Sequence, residues 1–212
     1  MTTVTIVDYG VGNIGALVNM FDYLGIEAEA CGDPLAIGRA ESLVLPGIGA
    51  FDKAMRTLRE RRLVEPLNDA VIARRVPVLG VCLGMQLLAR CSEEGAEPGL
   101  GWVAADVRRI DVSAAPNLKV PHIGWMETRP TRPSALFATA TADERFYFDH
   151  SYHLVCERAA DASAVIDYGG ELCCAVETGN VFGVQFHPEK SHRFGMRLLA
   201  AFAAVRTAEA AA

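Results

Sequence analysis

The chain has 212 residues, of which 51% are hydrophobic and 22% are charged, and its formal net charge is −6. This length suits one domain with a sizeable buried core, and this composition excludes an intrinsically disordered chain. The negative charge argues against nucleic-acid binding, which normally uses a basic surface. The sequence contains no apolar run of about 18 residues, so no membrane span is expected.

Three apolar segments in the first half are predicted to be buried strands: residues 3–8, 42–46 and 76–81. A glycine-rich turn and helical spacing through Leu24 follow the first segment. A long helical region, broken near Pro66, follows the second, and a helix that includes Met85 follows the third. Because uninterrupted apolar strands between helices are typical of a parallel sheet covered on both faces, the pattern predicts an open, mostly parallel sheet.

The second half contains shorter strand candidates, separated by Gly, Pro and polar turns: residues 101–110, 145–149, 163–168, 172–178 and 181–186. These are predicted to extend or flank the main sheet, and some of them to be antiparallel. A helix near 191–206 closes the pattern, and the alanine-rich end beyond it is expected to fray. Neither a linker nor an internal repeat interrupts the chain, so a single α/β domain over residues 1–212 is predicted.

Cysteine usage indicates a reducing compartment. The six cysteines are Cys31, Cys82, Cys91, Cys156, Cys173 and Cys174. The N-terminus lacks the charged start and cleavage site of a signal peptide, so these residues are expected to be reduced thiols in the cytoplasm. All except Cys82 are expected to pack as small apolar side chains. The sequence has no C-x-x-C pair, so no metal site is expected.

Cys82 lies in the segment GVCLG (80–84), which follows a predicted buried strand and opens a predicted helix. A G-x-nucleophile-x-G turn in this context is typical of a nucleophile elbow. The glycines permit a close approach of backbones, and the helix N-terminus favours a thiolate. The pattern therefore predicts that Cys82 is a nucleophile, although an inert buried cysteine would also fit it.

A thiol nucleophile needs a base, and the base needs an acceptor that orients it. The segment VFGVQFHPE (181–189) predicts a strand that ends in His187, Pro188 and Glu189. Residues two apart in an extended chain face the same side, so Glu189 is expected to lie close enough to hold the His187 imidazole. The remaining histidines of the chain have no such partner at this spacing and are expected to be structural or solvated.

Together, GVCLGMQLL and GVQFHPE resemble motifs of the class I, or triad, glutamine amidotransferases. Further segments narrow the resemblance to the glutaminase subunits of imidazole glycerol phosphate synthases: DYGVGNI, LPGIGAF, SEEG, PHIGWM, FYFDHSYH and HPEKS. The likeness spans essentially the whole chain. It implies no bound cofactor.

The resemblance implies that Cys82 attacks the side-chain carboxamide of L-glutamine, that His187 transfers protons and that Glu189 orients His187. The resulting thioester is hydrolysed to glutamate, and ammonia is released. The oxyanion of the reaction needs two backbone donors. By the same resemblance these are the amide of Leu83 and a peptide of the Gly47–Ile48 loop, which stays misoriented until a partner binds its ligand.

The resemblance also implies residues that bind the substrate glutamine: Gly49, Gln86, Glu94, His150, Ser151 and Tyr152. The implied partner is a (β/α)8-barrel cyclase/synthase subunit, which receives the ammonia and forms imidazole glycerol phosphate and AICAR in histidine biosynthesis. Four residues are expected at the interface with this subunit: Asn13, Trp125, Tyr147 and Lys190.

Several positions depart from the family pattern and leave a second ammonia acceptor open: Ala16, Met126, Asp149, His192 and Arg193. KSH at 190–192, in place of KSG, resembles a related branch that aminates sugars of bacterial surface polysaccharides. An NAD-dependent oxidoreductase is also compatible with part of the sequence, because residues 10–15 fit the G-x-G-x-x-G pattern and Asp33 lies near the position of a ribose-binding acid. A catalytically silent binding subunit is a further possibility, although the complete triad argues against it.

Overall fold

Strands and helices alternate through the described part of the chain, residues 3–140 and 144–205 of this computed structural model. The strands are β1 (Val4–Val7), β2 (Ala28–Cys31), β3 (Ser42–Gly47), β4 (Val78–Cys82), β5 (Ala105–Arg109), β6 (His122–Glu127), β7 (Arg129–Pro130), β8 (Arg145–His150), β9 (Tyr152–Cys156), β10 (Ala162–Asp167), β11 (Glu171–Thr178) and β12 (Val181–Val184). The helices are α1 (Ile14–Tyr23), α2 (Pro34–Ile37), α3 (Phe51–Glu60), α4 (Val64–Asn68), α5 (Leu83–Leu87) and α6 (His192–Ala203).

Five neighbouring strands form the parallel half of the main sheet, in the order β2-β1-β3-β4-β12. Every residue of β1, β3, β4 and β12 is buried, as their apolar sequences predict. The carboxyl ends of parallel strands meet at one edge of a sheet. Gly47 at the end of β3 therefore pairs with Cys82 at the end of β4.

Antiparallel strands extend the sheet beyond β12, in the order β11, β10 and β7. β9 pairs with both β11 and β5, and β6 with β8 forms a separate two-stranded sheet. The second-half strands thus extend or flank the parallel half, as predicted from their short, turn-separated sequences.

Two hydrophobic cores lie on the two faces of the main sheet. One contains Phe51 and Leu58 of α3 together with Met85 of α5. The other contains Leu17 and Phe21 of α1 together with side chains of α6. This confirms the predicted α/β architecture with helices on both faces. No helix within residues 3–140 or 144–205 is long and apolar enough to cross a membrane.

The structure differs from the sequence expectations mainly at short or edge elements. The sequence does not predict β2, because AEAC lacks the β-branched and aromatic residues typical of strands. Among the described strands, β2 pairs only with β1. The sequence does not predict β6 or β9 either. The predicted strand at 181–186 ends at Val184. Position 206, the predicted end of the closing helix, and the alanine-rich segment after it lie outside the described residues.

Candidate active site

Cys82 occupies a sharp strand-to-helix turn between β4 and α5, as the sequence predicts. Its backbone has φ 54° and ψ −112°, a conformation that residues with a side chain rarely adopt. A Cβ at Gly84 would lie 1.8 Å from the Leu45 carbonyl oxygen, and one at Gly80 would lie 2.7 Å from the Gly84 carbonyl oxygen. Gly84 is therefore required by the close packing of the turn against β3, and Gly80 by the close approach of β4 to the first turn of α5.

His187 and Glu189 are joined by a hydrogen bond of 2.8 Å between Nδ1 and Oε1, and their side chains are only 3% and 2% exposed. The predicted extended conformation of this segment is wrong at Glu189. A single turn of 3₁₀-helix covers Pro188–Lys190 and brings the Glu189 carboxylate to Nδ1 of the His187 imidazole. The two-residue spacing thus produces the predicted contact, although through a turn and not through strand alternation.

The charge state of His187 depends on its two neighbours in the site, Cys82 and Glu189. Burial alone would lower its pKa, but hydrogen bonds and charge interactions with Cys82 and Glu189 outweigh burial and raise the pKa to about 10. Because Nδ1 is engaged by Glu189, the nitrogen left for the Cys82 sulfur is Nε2. A protonated imidazole beside a cysteine sulfur favours the thiolate, the reactive form of the nucleophile.

Asn13 holds the carboxylate of Glu189 in place. Its Nδ2 donates a 2.8 Å hydrogen bond to Glu189 Oε1. Burial raises the pKa of Glu189, but the hydrogen bonds from His187 and Asn13 and the charge of His187 lower it overall. The family resemblance predicts Asn13 at the partner interface. The structure places its side chain on Glu189, at the start of α1.

Gln185 is a site residue that the sequence reasoning does not identify. Its Nε2 lies 3.8 Å from Cys82 Sγ, and its Oε1 accepts a 3.1 Å hydrogen bond from Gln86 Nε2. Gln86 Nε2 also donates to the Tyr152 carbonyl. Gln185 is fully buried, and a buried amide needs hydrogen-bond partners. A glutamine at the end of the otherwise apolar VFGVQF segment is the signal that could have revealed it.

His150 faces the protein interior with both ring nitrogens. Nδ1 is 2.8 Å from the Tyr152 carbonyl oxygen, so Nδ1 is the donor, and Nε2 accepts from His122 Nδ1 at 3.1 Å. Burial lowers the pKa of His150 to about 3 and that of His122 to about 4. This pair is therefore neutral, and the His150 ring is committed to contacts within the protein.

The loop after β3 lies opposite the elbow. Tyr9 donates a 2.8 Å hydrogen bond to the Pro46 carbonyl, just before the loop. Within the loop, Ile48 is 45% exposed and Gly49 has φ +89°, which favours glycine. Glu94 accepts a 2.9 Å hydrogen bond from the Phe51 amide after the loop. The two ends of the loop are thus fixed by side chains, while its centre faces solvent.

A cavity of about 430 Å³ brings most of the predicted site residues together at the carboxyl edge of the parallel strands. Its lining includes Asn13, Ile48, Gly49, Cys82, Leu83, Gln86, Glu94, His150, Ser151, Tyr152, His187 and Lys190. Gly47, at the end of β3, and Glu189, hydrogen-bonded to His187, are not part of this lining. Among the described residues, no group of three or more His, Cys, Asp or Glu side chains is arranged to hold a metal.

A patch that adjoins this cavity is formed by the exposed side chains of Ile123, Trp125, Lys190 and His192 and the half-buried ring of Tyr147. Trp125 is 42% exposed and stacks on His192 with ring centroids 5.6 Å apart. Lys190 Nζ lies 5.4 Å from the centre of the Tyr147 ring, and Tyr147 meets Trp125 edge-on. Three of the four predicted interface residues therefore lie together, with Lys190 shared between the patch and the cavity.

Gly12, the central glycine of the G-x-G-x-x-G pattern, has a structural role in the loop after β1. A Cβ at Gly12 would lie 2.8 Å from the Pro46 side chain. The glycine therefore lets the loop after β1 pack against the end of β3, beside the elbow. This packing gives Gly12 a structural role that requires no nucleotide.

Comparisons with known proteins place nearly the whole described chain in one family. The model of the family "Glutamine amidotransferase class-I" matches residues 5–205. Imidazole glycerol phosphate synthase subunit HisH 2 of Pseudomonas aeruginosa is 46% identical, and the match covers 94% of this chain and 98% of that protein. Subunit HisH of Salinibacter ruber is 45% identical over 98% of this chain and 96% of that protein.

Among solved structures, a crystal structure of a glutamine amidotransferase has a TM-score of 0.71 at 21% identity, covering 95% of this chain and 99% of that one. This likeness shows the fold alone. The sequence relatives and the family match go further: the chain belongs to the class-I glutamine amidotransferase family and, within it, to the HisH subunits of imidazole glycerol phosphate synthase.

Proposed function

We propose that this protein is a glutaminase subunit that hydrolyses L-glutamine to glutamate and ammonia and passes the ammonia to a cyclase/synthase partner in histidine biosynthesis. The observation that carries the proposal is the connected set of Cys82, His187 and Glu189 at the cavity. Membership among HisH subunits supports the choice of pathway.

In the proposed reaction, the Cys82 thiolate attacks the side-chain amide carbon of glutamine. The protonated His187 gives its proton to the departing nitrogen, so ammonia leaves and a thioester forms. His187, now neutral, removes a proton from water, and the resulting hydroxide attacks the thioester. Glutamate is released, and the thiolate and protonated imidazole are restored. Glu189 holds the imidazole through Nδ1 during both proton transfers.

The negative oxygen formed at each attack needs hydrogen-bond donors. We assign one to the amide of Leu83, the first residue of α5, because first-turn amides have no partner within a helix. The second comes from the Gly47–Ile48 loop opposite the elbow. Because Tyr9 and Glu94 hold the two ends of this loop, any reorientation of a peptide must occur in the solvent-facing centre, next to Gly49.

The substrate's α-amino and α-carboxylate groups are assigned to the outer part of the cavity. Glu94 supplies negative charge for the α-ammonium group, and His150, Ser151 and Tyr152 line the same cavity. His150 contributes through its backbone, because both ring nitrogens are already engaged. Gln86 has a more indirect role, since its Nε2 is held by Tyr152 and Gln185.

We assign the partner to a (β/α)8-barrel cyclase/synthase subunit that docks on the exposed aromatic patch beside the cavity. Aromatic side chains are enriched at protein interfaces, and here the exposed Trp125 meets the half-buried Tyr147 edge-on. Lys190 connects this patch to the cavity, so a docked partner lies next to the point where ammonia is formed. We also propose a cytoplasmic location, which the six free thiols support.

The test is synthesis by the reconstituted complex with either glutamine or added ammonium as the nitrogen source. Cys82→Ser is expected to abolish glutamine-dependent synthesis and to leave ammonium-dependent synthesis intact. Cys91→Ser is the matched control, because this exposed thiol lies outside the cavity. Equal loss from both nitrogen sources in Cys82→Ser would show that the site is misassigned.

The identity of the ammonia acceptor is tested by measuring glutamate release with the cyclase and its nucleotide ligand present or absent. Stimulation by the cyclase supports histidine biosynthesis. Activity without any response to the cyclase would instead favour the sugar-aminating branch. No glutamate release under any of these conditions would favour a catalytically silent subunit.

A further inference from the structure

Two cysteines outside the active site are in contact. Cys156 at the end of β9 and Cys173 in β11 have their sulfur atoms 3.9 Å apart. Cys173 pairs with Leu154 across the two antiparallel strands. Cys156 follows Leu154 by two residues and therefore faces the same side of the sheet as Cys173. The two thiols are diagonal neighbours on one face.

This pair is accessible from solvent. Both residues are half-buried and line a shallow cavity of about 550 Å³, together with His153 and Arg132. The next residue, Cys174, points to the opposite face and is fully buried in the core with α1 and α6. A small oxidant can therefore reach Cys156 and Cys173 from one side, while Cys174 is shielded.

The two thiols are not equivalent. A hydrogen bond from Cys173 lowers the pKa of Cys156 and outweighs the effect of burial. The same hydrogen bond and burial raise the pKa of Cys173. Cys156 is thus the sulfur that ionises first, and thiolates are the form that reacts with peroxides. Cys173 is placed to react in a second step.

We propose that Cys156 and Cys173 are an oxidation site that closes to a reversible disulfide when the protein meets a hydroperoxide. With hydrogen peroxide, the Cys156 thiolate attacks one oxygen, the O–O bond breaks, and a sulfenic acid and hydroxide form. The Cys173 thiol then attacks the Cys156 sulfur, loses its proton and displaces water. With hydrogen peroxide, two thiols and one peroxide give one disulfide and two waters.

The geometry permits this closure with a small movement. A disulfide bond is about 2.05 Å long, so the sulfur atoms must approach by roughly 1.9 Å from their present 3.9 Å. β9 and β11 are paired at a single position, Leu154 with Cys173, which leaves the end of β9 at Cys156 free of ladder contacts to β11. Cys156 remains paired with Ala105 of β5. The approach is therefore supplied by rotation of the two side chains and a small shift of the paired ends of β5 and β9 towards β11.

The test treats the whole chain with hydrogen peroxide, blocks the remaining free thiols by alkylation and maps the cysteines by mass spectrometry after digestion. We expect a cross-linked peptide pair containing residues 156 and 173, which a dithiol reductant separates. Cys156→Ser and Cys173→Ser should each abolish the cross-link, whereas Cys91→Ser, at another exposed thiol, should retain it.

Two results would overturn the proposal. One is alkylation of both Cys156 and Cys173 as free thiols under conditions in which Cys82 is already oxidised. The other is a stable sulfinic acid at Cys156 without any cross-link, since it would mean that Cys173 does not reach the sulfenic acid. Glutaminase activity does not enter this measurement, so the result is independent of the proposed function.

Discussion

Substitution of Asn13 tests whether this residue acts within the active site or at the partner interface. The family resemblance places it at the interface, whereas the structure shows its amide donating to Glu189 Oε1 at 2.8 Å. Asn13→Ala removes this donor and leaves the His187–Glu189 hydrogen bond in place. We therefore expect a slower reaction in the assembled complex and no change in the affinity for the partner.

The magnitude follows from the type of hydrogen bond that is lost. A hydrogen bond to a charged group contributes about 1.5–3 kcal/mol, and a difference of about 1.4 kcal/mol corresponds to a factor of ten. Glu189 keeps its contact with His187, so the lower part of this range applies. We expect kcat for glutamine hydrolysis to fall about tenfold, with KM nearly unchanged because Asn13 acts through Glu189.

The assay is glutamate release by the reconstituted complex, combined with a direct measurement of partner affinity. Asn117→Ala is the control, because Asn117 is an exposed asparagine that lines neither the active-site cavity nor the surface around Lys190 and His192. Synthesis from added ammonium should be unaffected in both variants. Weaker partner binding with an unchanged kcat in Asn13→Ala would refute the role at Glu189 and restore the interface assignment.

Three further predictions concern the triad, the elbow and the buried histidine pair. Glu189→Gln should lower kcat less than His187→Ala does, and the two losses should differ by roughly one to two orders of magnitude, because orientation matters less than proton transfer. If a steady-state assay showed the larger loss in Glu189→Gln, Glu189 would have another role. Gly84→Ala should reduce both thermal stability and activity, because its Cβ would lie 1.8 Å from a carbonyl oxygen of β3, and a normal melting temperature would contradict this packing. The pKa values of His122 and His150 lie near 4 and 3, below the ordinary 6.5, so the unfolded chain binds more protons and the free energy of unfolding should fall as the pH decreases from 6.5 towards 3. His122→Phe should show a shallower decrease in urea unfolding, and an unchanged pH dependence would mean that His122 is not buried as a neutral group.

Local sequence determined the elements on which the site is built. Uninterrupted apolar runs such as 42–46 predict buried parallel strands, because such strands are covered on both faces. The glycines around Cys82 predict a sharp turn, because only glycine permits the close backbone approach found there. The short spacing of His187 and Glu189 made their contact predictable, even though the segment forms a 3₁₀ turn where an extended chain was expected.

Only the tertiary structure decided which distant side chains meet. Asn13 and Glu189 are 176 positions apart, and Gln185 reaches Cys82 across 103 positions. These contacts depend on strand order, on register and on the direction of each side chain, none of which a local pattern encodes. A sequence motif indicates the backbone conformation and the burial of its own segment only. Side chains from separate segments become partners only when the sheet has brought the ends of its strands to one edge.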